Sequence, residues 1–422
     1  MAQYNLADKM YGAYQHTSRG DDLTFSQRVT YGDTPLNDAF GRLRVSMGDS
    51  IFDNYEIQGK KTLFWSENHV GTVACTHVAN QSAIQFAASM TSGNKVTRSS
   101  RKLSLYTPGT SLMVLATGIM GTGQTGSAQR IGFFDAYNGV FFEQKDADMG
   151  VVIRSNTSGT PGDTRVEQAD WNIDRMDGTG TSGVTLDFTK TQIFWFDLEW
   201  LGVGRVRFGF VHEGLIYVCH ECYHNNNLST VYMSTPLLPV TYEIENITAV
   251  SAALTDFRQI CCSVQREGGE STSHKHGNSN NGVTPIPVTS TVWSPVIAIQ
   301  LQTAYVGKSM IKPENINVIS QGSKDVLFEV LYNPTVEGGT FVTNASGVGM
   351  TNITATNVTG GTRLAAQYVA ASDRVSGDIF DKNFWLGGTL TGTADTLAIR
   401  ARSVTGVTTG TVMASIDYKE VY

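Results

Sequence analysis

From Ile131 to Tyr242 the sequence is a succession of short apolar and aromatic segments, separated by turns that contain glycine, with no stretch of helical periodicity. One segment, RVRFGF, begins at Arg205 and places Val206, Phe208 and Phe210 at alternate positions. This period of two puts successive side chains on opposite faces of a β-strand. The pattern predicts an all-β framework built from hairpins, and it contains no catalytic signature.

Composition points to the same fold class. Charged residues make up 16% of the chain, whereas glycine occurs 43 times; a charged share of about a quarter is usual. Glycine and asparagine serve turns, while threonine, valine and aromatic residues favour strands. Low charge also suits a surface covered by neighbouring copies, because charge helps to keep an isolated protein soluble. We therefore expect a homo-oligomer.

The charge balance argues against nucleic acid as a partner. The net charge is −7 and the isoelectric point is near 5.6, whereas neutralising phosphates requires clustered lysine and arginine. The nearest approach to such a cluster is Arg98, Arg101 and Lys102. We interpret these three residues as a solvated strand edge.

The N-terminal residues lack the apolar core of a signal peptide, and no window reaches about 18 apolar residues. We therefore expect a chain that is made in the cytoplasm and does not span or bind a membrane. In that compartment cysteines are expected to be reduced, buried and inert. The sequence has five of them: Cys75, Cys219, Cys222, Cys261 and Cys262.

The density of strand signals divides the chain into four parts. Residues 1–60 are predicted to be an extended N-terminal arm, and residues 61–266 a jelly-roll-like β-sandwich of roughly eight to ten strands. Residues 267–284 are low in complexity and polar, as in a linker or exposed loop. Residues 285–422 are predicted to form a second, smaller C-terminal β-sandwich. Within the first sandwich, Asn138–Gly139 and Glu213–Gly214 are predicted hairpin turns.

The arm contains the phrase DAFGRLRVS, which runs from Asp38 to Ser46. The arm has too few regularly spaced apolar residues to form a core of its own. It can instead bury its apolar residues on a partner while its arginines pair with that partner's carboxylates. The residues predicted to mediate assembly in this way are Phe40, Arg42, Leu43, Arg44 and Val45.

DAFGRLRVS and the phrase WLGVGRVRFGF, which begins at Trp200, resemble phrases in the virion structural proteins of tailed bacteriophages, and the resemblance covers about two-thirds of the chain. It implies a building block of the virion, made in the host cytoplasm, with other tail, portal or capsid proteins as partners. The preferred location is the tail or its attached apparatus, such as the sheath, collar, an appendage or a fibre base. Two alternatives remain open: a head decoration or head-fibre protein, and a receptor-binding or glycan-cleaving tail module that contacts a host surface glycan.

The glycan-cleaving alternative would depend on Asp197 and Glu199, which share one face of a predicted strand near Trp195 and Trp200. A sugar-cleaving groove requires two carboxylates a few ångströms apart. The same pattern is expected for a strand near a sheet edge or a subunit contact, and we favour that interpretation. The sequence therefore predicts no catalytic residues and no enzymatic activity.

The densest group of metal-ligating residue types is Cys219 to His224, with His212 across a hairpin turn. On a strand, Cys219 and Glu221 share one face while His220 and Cys222 share the other, which splits the ligand set. A zinc site would also need further ligands at a matching spacing. The sequence therefore predicts no metal site and no cofactor.

Overall fold

The computed structural model describes residues 14–17, 26–29, 37, 38, 44, 48–268, 274–279, 284–344, 347–377, 380, 384–404 and 410–421. Their secondary structure consists of strands and three short 3-10 turns, at Ala79–Gln81, Gln168–Asp170 and Thr303–Tyr305. These residues include no α-helix, and thus no helix with the length and apolar character needed to cross a membrane. The prediction of an all-β fold is confirmed.

Two strands near the N-terminus, β1 (Tyr14–Thr17) and β2 (Ser26–Val29), form an antiparallel hairpin in which Tyr14 opposes Val29. The hairpin is a two-stranded sheet of its own and pairs with no other strand that the structure describes.

The first sandwich consists of two antiparallel sheets. Its strands are β3 (Asp49–Tyr55), β4 (Trp65–Val70), β5 (Val73–Val78), β6 (Ala83–Ala88), β7 (Lys95–Ser100), β8 (Leu112–Ile119), β9 (Ser127–Phe134), β10 (Gly139–Lys145), β11 (Asp148–Ser155), β12 (Gly162–Glu167), β13 (Gln192–Leu198), β14 (Val206–His212), β15 (Leu215–Cys222), β16 (Val240–Asn246) and β17 (Arg258–Arg266). The seven-stranded sheet has the order β12-β11-β10-β9-β16-β7-β4. The eight-stranded sheet has the order β15-β14-β13-β8-β17-β6-β5, with β3 paired to β17.

Both sheets contribute to one apolar core between them. Phe142 on β10 contacts the rings of Phe194 and Phe196 on β13 and of Phe208 and Phe210 on β14, with ring centroids 4.6 to 5.7 Å apart. Aromatic pairs at such distances stabilise a core beyond the area that they bury. The face of β14 that the alternation in RVRFGF predicted to be apolar is the face that packs in this core.

The two predicted hairpin turns have different outcomes. Glu213 and Gly214 both have positive φ, 50° and 80°, and they join β14 to β15 as a type I′ turn requires. The hairpin predicted around Asn138–Gly139 is formed by β9 and β10, but these two residues are not its turn, because residues 135–138 form the loop and Gly139 already pairs with Phe134. A Cβ at Gly139 would lie 2.1 Å from the Cβ of Phe134. Glycine is required there by this close approach.

The second, smaller sandwich also consists of two sheets. Its strands are β18 (His274–Ser279), β19 (Ile286–Val288), β20 (Ser294–Leu301), β21 (Met310–Gln321), β22 (Val326–Tyr332), β23 (Thr335–Glu337), β24 (Val342–Thr343), β25 (Gly349–Asn352), β26 (Asn357–Thr359), β27 (Thr362–Val369), β28 (Arg374–Gly377), β29 (Thr396–Ser403) and β30 (Gly410–Val421). One sheet has the order β18-β30-β21-β28, with β19 paired to β30, and the other has the order β24-β25-β20-β29-β22-β27. β23 and β26 pair separately. A second apolar core lies between the two larger sheets.

Strand β21, which pairs along its length with β30, was not predicted from the sequence. Pro313 lies within it, and proline cannot donate a hydrogen bond to a sheet ladder. The structure accommodates this proline at a register shift between Pro313 and Asn315. Conversely, the apolar segment from Phe384 to Leu390 has a strand-like composition but forms only isolated bridges, at Leu386 and Gly388.

Two segments outside the predicted sandwiches join their sheets. Asp49–Tyr55, expected to belong to the arm, forms β3, which pairs with β17 and buries Ile51 and Phe52. His274–Ser279, within the predicted polar linker, forms β18 and pairs with β30. In both cases a sheet offers backbone hydrogen-bond partners that composition does not reveal.

Candidate functional site

The outer face of the eight-stranded sheet carries a buried charge cluster centred on Asp197. Asp197 on β13 directly opposes Arg207 on β14, and Arg207 Nη2 donates a hydrogen bond to Asp197 Oδ2. Both side chains are almost fully buried. The Arg207 guanidinium also lies 5.3 Å from the centre of the Trp195 ring, within the range of a cation–π contact.

Arg44, from the N-terminal segment, completes this cluster. Its guanidinium donates to Asp197 Oδ1 at 2.6 Å and to Glu267 Oε1 at 2.5 Å. Burial by itself would lower the pKa of Arg44, but the two carboxylates outweigh it and raise the pKa above its ordinary value. Such charge-assisted hydrogen bonds are stronger than neutral ones, so Arg44 fastens the N-terminal segment to the first sandwich.

Two further residues of the same segment contact the sheet. The backbone carbonyl of Asn37 accepts a hydrogen bond from Arg207 at 2.5 Å, and that of Asp38 accepts one from Arg205 at 3.3 Å. The side chains of Asn37 and Asp38 are buried. The segment thus covers the outer face of β13 and β14 and removes their charged residues from water.

Of the five residues predicted to mediate assembly, the structure describes Arg44. Phe40, Arg42, Leu43 and Val45 lie outside the described residues. The contacts given above for Arg44 are made within its own chain. The assembly role of these five residues stays a prediction.

The residues that the glycan-cleaving alternative requires do not line an open groove. Asp197 and Trp195 are completely buried, and Glu199 is 2% exposed. Trp200 instead packs against the first core, and its indole N–H donates to the Met233 carbonyl at 3.0 Å. The chain's own N-terminal segment covers this strand, whereas the sequence suggested a sheet edge or a subunit contact.

The interpretation of Arg98, Arg101 and Lys102 as a solvated edge is wrong. Arg98 is fully buried, and its guanidinium donates to Glu67 Oε1 at 2.5 Å. Arg101 pairs with Asp395 of the second sandwich at 3.0 Å. Lys102 is also buried. These cations hold parts of the chain together, which their clustering in the sequence could not reveal.

A second charge network lies on the outer face of the seven-stranded sheet. Arg130 on β9 donates to Glu143 on β10 at 2.8 Å and to Glu243 on β16 at 2.6 Å. Lys95 on β7 reaches Glu243 at 3.1 Å. Burial would raise the pKa of Glu243, but the two cations outweigh burial and lower it below the ordinary value.

The predicted alternation of faces in the segment from Cys219 to His224 is wrong at Cys219. Cys219 packs in the first core, which Cys222 also contacts, whereas Glu221 opposes Arg207 on the outer face. A register shift in the β14–β15 pairing next to Cys219 interrupts the alternation.

Cys219 is fully buried, and burial raises the pKa of its thiol. Burial lowers the pKa of His220 and of His224, although a hydrogen bond to the Gly204 carbonyl opposes this effect at His224. The His224 ring stacks on Tyr232, with centroids 4.1 Å apart.

One group of metal-ligating side chains in the described part of the chain was not found from the sequence. Ligand atoms of Glu67, His69 and Cys75 lie within 4.8 Å of one another. Glu67 is already paired with Lys60 at 2.8 Å and with Arg98 at 2.5 Å. Burial raises the pKa of Cys75 to about 12, which disfavours the thiolate that binds metals. The local charge therefore opposes a divalent cation.

A cleft of about 770 Å³ lies between the two sandwiches. One wall is the β9–β10 loop, residues 135–138, and the facing wall consists of residues 306–309 and 387–392. Serine, threonine, asparagine and glycine make up much of the lining. This volume lies within the range of about 300–1,000 Å³ that is usual for small-molecule sites.

Contacts between the sandwiches fix the spacing of these walls. The ion pair between Arg101 and Asp395 is one of them, and the Oγ of Ser66 accepts a hydrogen bond from the Leu390 N–H at 3.2 Å. An apolar cluster also joins the two parts, formed by Leu103, Met310, Trp385 and Val421. The walls are therefore held in place without a ligand.

The β9–β10 loop presents Asp135, Tyr137 and Asn138 to the cleft. Asp135 Oδ1 accepts the backbone N–H groups of Tyr137 and Asn138, both at 2.7 Å. Burial raises the pKa of Asp135 above its ordinary value, although these two hydrogen bonds oppose the rise. The Tyr137 side chain is 53% exposed. The sequence indicated only a turn here, because the facing wall belongs to the second sandwich.

No protein-family model matches the chain, and no curated protein sequence matches it. Among solved structures, a legume lectin-like domain from Entamoeba histolytica is 9% identical with a TM-score of 0.31, over 53% of this chain and 100% of that chain. The CBM2 module of the evolved Dit of Lactobacillus casei BL23 phage J-1 is 7% identical with a TM-score of 0.34, over 52% of this chain and 95% of that chain. The metal-free Emp46p carbohydrate recognition domain is 7% identical with a TM-score of 0.31, over 52% of this chain and 98% of that chain. At these TM-scores the similarities carry no argument about function.

Proposed function

We propose that the chain is a non-enzymatic structural subunit of a tailed-bacteriophage virion that assembles as a homo-oligomer in the tail or its attached apparatus. The phrases DAFGRLRVS and WLGVGRVRFGF support the assignment to the particle, because they resemble phrases in virion structural proteins. The observation that carries the assembly part of the proposal is the β1–β2 hairpin, which pairs with no other described strand.

The β1–β2 hairpin lies before Arg44 in the chain. Arg44 pairs with Asp197 and Glu267 and thereby anchors the N-terminal segment to the first sandwich. Residues before this anchor form a two-stranded sheet whose backbone edges have no further strand partner among the described residues. An open strand edge can add to the sheet of another chain. The anchored segment with its hairpin thus has the geometry of an assembly arm.

Deletion of residues 1–30 tests this proposal. The deletion removes β1 and β2 and retains Asn37, Asp38 and Arg44, which contact the sandwich. We expect the truncated chain to melt cooperatively near the temperature of the full chain, because both cores are intact. We also expect it to lose oligomers, as measured by light scattering over a range of concentrations.

Deletion of residues 1–13 is the matched control, since it also shortens the N-terminus but keeps β1, β2 and Arg44. We expect this variant to retain oligomers. A chain without residues 1–30 that forms the same oligomers as the full chain would contradict the arm, and a monomeric full chain at high concentration would contradict homo-oligomeric assembly.

The particle assignment has its own test. The chain should be found by mass spectrometry in purified particles of a phage that encodes it, and gold-labelled antibodies should bind at the tail. Labelling on the head would instead favour the head decoration or head-fibre alternative. Absence of the chain from purified particles would refute the virion assignment.

A further inference from the structure

We propose that the cleft between the two sandwiches binds a neutral saccharide through Asp135, Tyr137 and Asn138. The proposal goes beyond the structural role and does not depend on it, because the cleft is formed within a single chain. It concerns a site distinct from Asp197 and Glu199, which are buried on the outer face of the eight-stranded sheet.

The first element of the site is a carboxylate with one oxygen available. The turn uses Asp135 Oδ1 to accept two backbone N–H groups. Oδ2 of the same carboxylate accepts no hydrogen bond from any described residue. A carboxylate can accept about four hydrogen bonds, so Asp135 is oriented by the protein and retains accepting capacity toward the cleft.

The second element is an oriented amide donor. Asn138 Oδ1 accepts the backbone N–H of Asn156 at 3.2 Å, the backbone N–H of Ser234 at 2.9 Å and the Ser234 hydroxyl at 3.0 Å. These donors fix which side of the amide is the oxygen. The amide nitrogen of Asn138 donates to no described residue, although the Asn138 side chain is 98% buried, since its relative exposure is 2%.

A third polar group lies behind these two. The side-chain oxygen of Asn156, which lines the cleft, is buried and has no hydrogen-bond partner among the described residues. Leaving a buried acceptor unsatisfied costs free energy. A hydroxyl group in the cleft can satisfy this buried oxygen only after the Asn156 side chain rotates toward it.

The ligand class follows from these groups together. Vicinal hydroxyls of a pyranose can donate to a carboxylate and accept from an amide at the same time, and the exposed ring of Tyr137 offers an apolar surface for the C–H face of the sugar. A carboxylate in the site disfavours anionic ligands such as phosphate. The serine, threonine and glycine residues of the lining add hydrogen-bonding groups without charge.

An acidic saccharide is the main rival ligand. Lys308 on the facing wall is exposed and could pair with its carboxylate. Arg101 also lines the cleft, but it is already paired with Asp395.

Arg154 donates to the Asp135 backbone carbonyl at 3.2 Å, but it is paired with Asp163 and does not line the cleft. Asp135 and Asn138 therefore present an anion and an amide to the ligand and no cation, and for this reason we propose a neutral sugar.

The purified full-length chain should be screened on an array of neutral and acidic oligosaccharides, and its best neutral ligand should be titrated by calorimetry. Asp135→Asn is the decisive variant. The asparagine oxygen can still accept the two turn N–H groups, whereas an NH2 group, which donates and cannot accept, replaces Oδ2. Tyr137→Ala removes the exposed ring. We expect each variant to weaken binding by about tenfold or more, with an unchanged melting temperature.

Tyr368→Ala is the matched control, since Tyr368 is 67% exposed on β27 and does not line the cleft. It should bind as the unaltered chain does. The proposal is overturned if no neutral oligosaccharide binds at millimolar concentration, if only acidic ones bind, or if both cleft variants retain full affinity. If Asp135→Asn does not fold, the result for Tyr137→Ala decides.

Discussion

Asp197 and Arg207 are direct cross-strand partners that form an ion pair on the outer face of a sheet and yet are almost fully buried. The N-terminal segment covers them, and Arg44 supplies a second cation to the same carboxylate. Two charges removed from water are tolerated only when they are well paired. The cluster is therefore a structural joint between the segment and the sandwich.

Asp197→Ala should strongly destabilise the chain, because it leaves the guanidinium groups of Arg207 and Arg44 without their shared carboxylate. Breaking a buried ion pair costs about 3–5 kcal/mol, and urea unfolding should show a loss of this size. Asp163→Ala is the control: Asp163 is 37% exposed and pairs with Arg154 at 2.8 Å. An exposed pair contributes about 0–1 kcal/mol. Similar losses for the two variants would contradict the assignment.

Stability should depend on pH through Glu243. Burial raises its pKa, but Arg130 and Lys95 outweigh burial and lower the pKa below its ordinary value. A carboxyl group with a lowered folded-state pKa contributes stability above the unfolded-state pKa, and this contribution is lost as pH falls through the folded-state pKa. Glu243→Gln should therefore melt at a lower temperature than the unaltered chain at pH 7, and the gap should narrow below about pH 4. A gap that stays constant down to pH 3 would argue against the linkage.

The cysteines should be unreactive in the native state. Cys75, Cys219 and Cys262 are buried, and Cys222 and Cys261 are half-buried; none of them is in a disulfide. Burial raises the pKa of Cys222 to about 12, so little thiolate is present at pH 8. A colorimetric thiol reagent should react slowly with the native chain and should count five thiols after denaturation. Rapid labelling of Cys219 without denaturant would show that the first core opens.

Chelation should not change stability, because Lys60 and Arg98 already pair with Glu67 and burial disfavours the Cys75 thiolate. The melting temperature should be the same with and without a chelator. Glu67→Gln serves as a check, since it should destabilise the chain equally in both conditions by unpairing Arg98. A chelator-induced fall of more than about 10 °C, together with stoichiometric zinc, would show a structural metal.

Local patterns in the sequence determined the strand framework. The alternation in RVRFGF predicted which side chains of β14 pack in the first core, and Glu213–Gly214 predicted the following turn. Both features depend on neighbouring residues, because a strand alternates its faces and a type I′ turn needs two residues with positive φ. Local patterns did not predict strand β21, because it contains Pro313, which the structure accommodates at a bulge.

Tertiary structure alone decided which charged residues are buried and which loops meet. Arg98 and Asp197 look like surface residues in the sequence, yet their partners lie far along the chain: Arg98 donates to Gln259, and Asp197 accepts from Arg44. The cleft likewise depends on a loop of the first sandwich that faces loops of the second. Burial of a charge depends on whether a distant segment covers it and pairs with it. The residues next to it in the sequence do not indicate this.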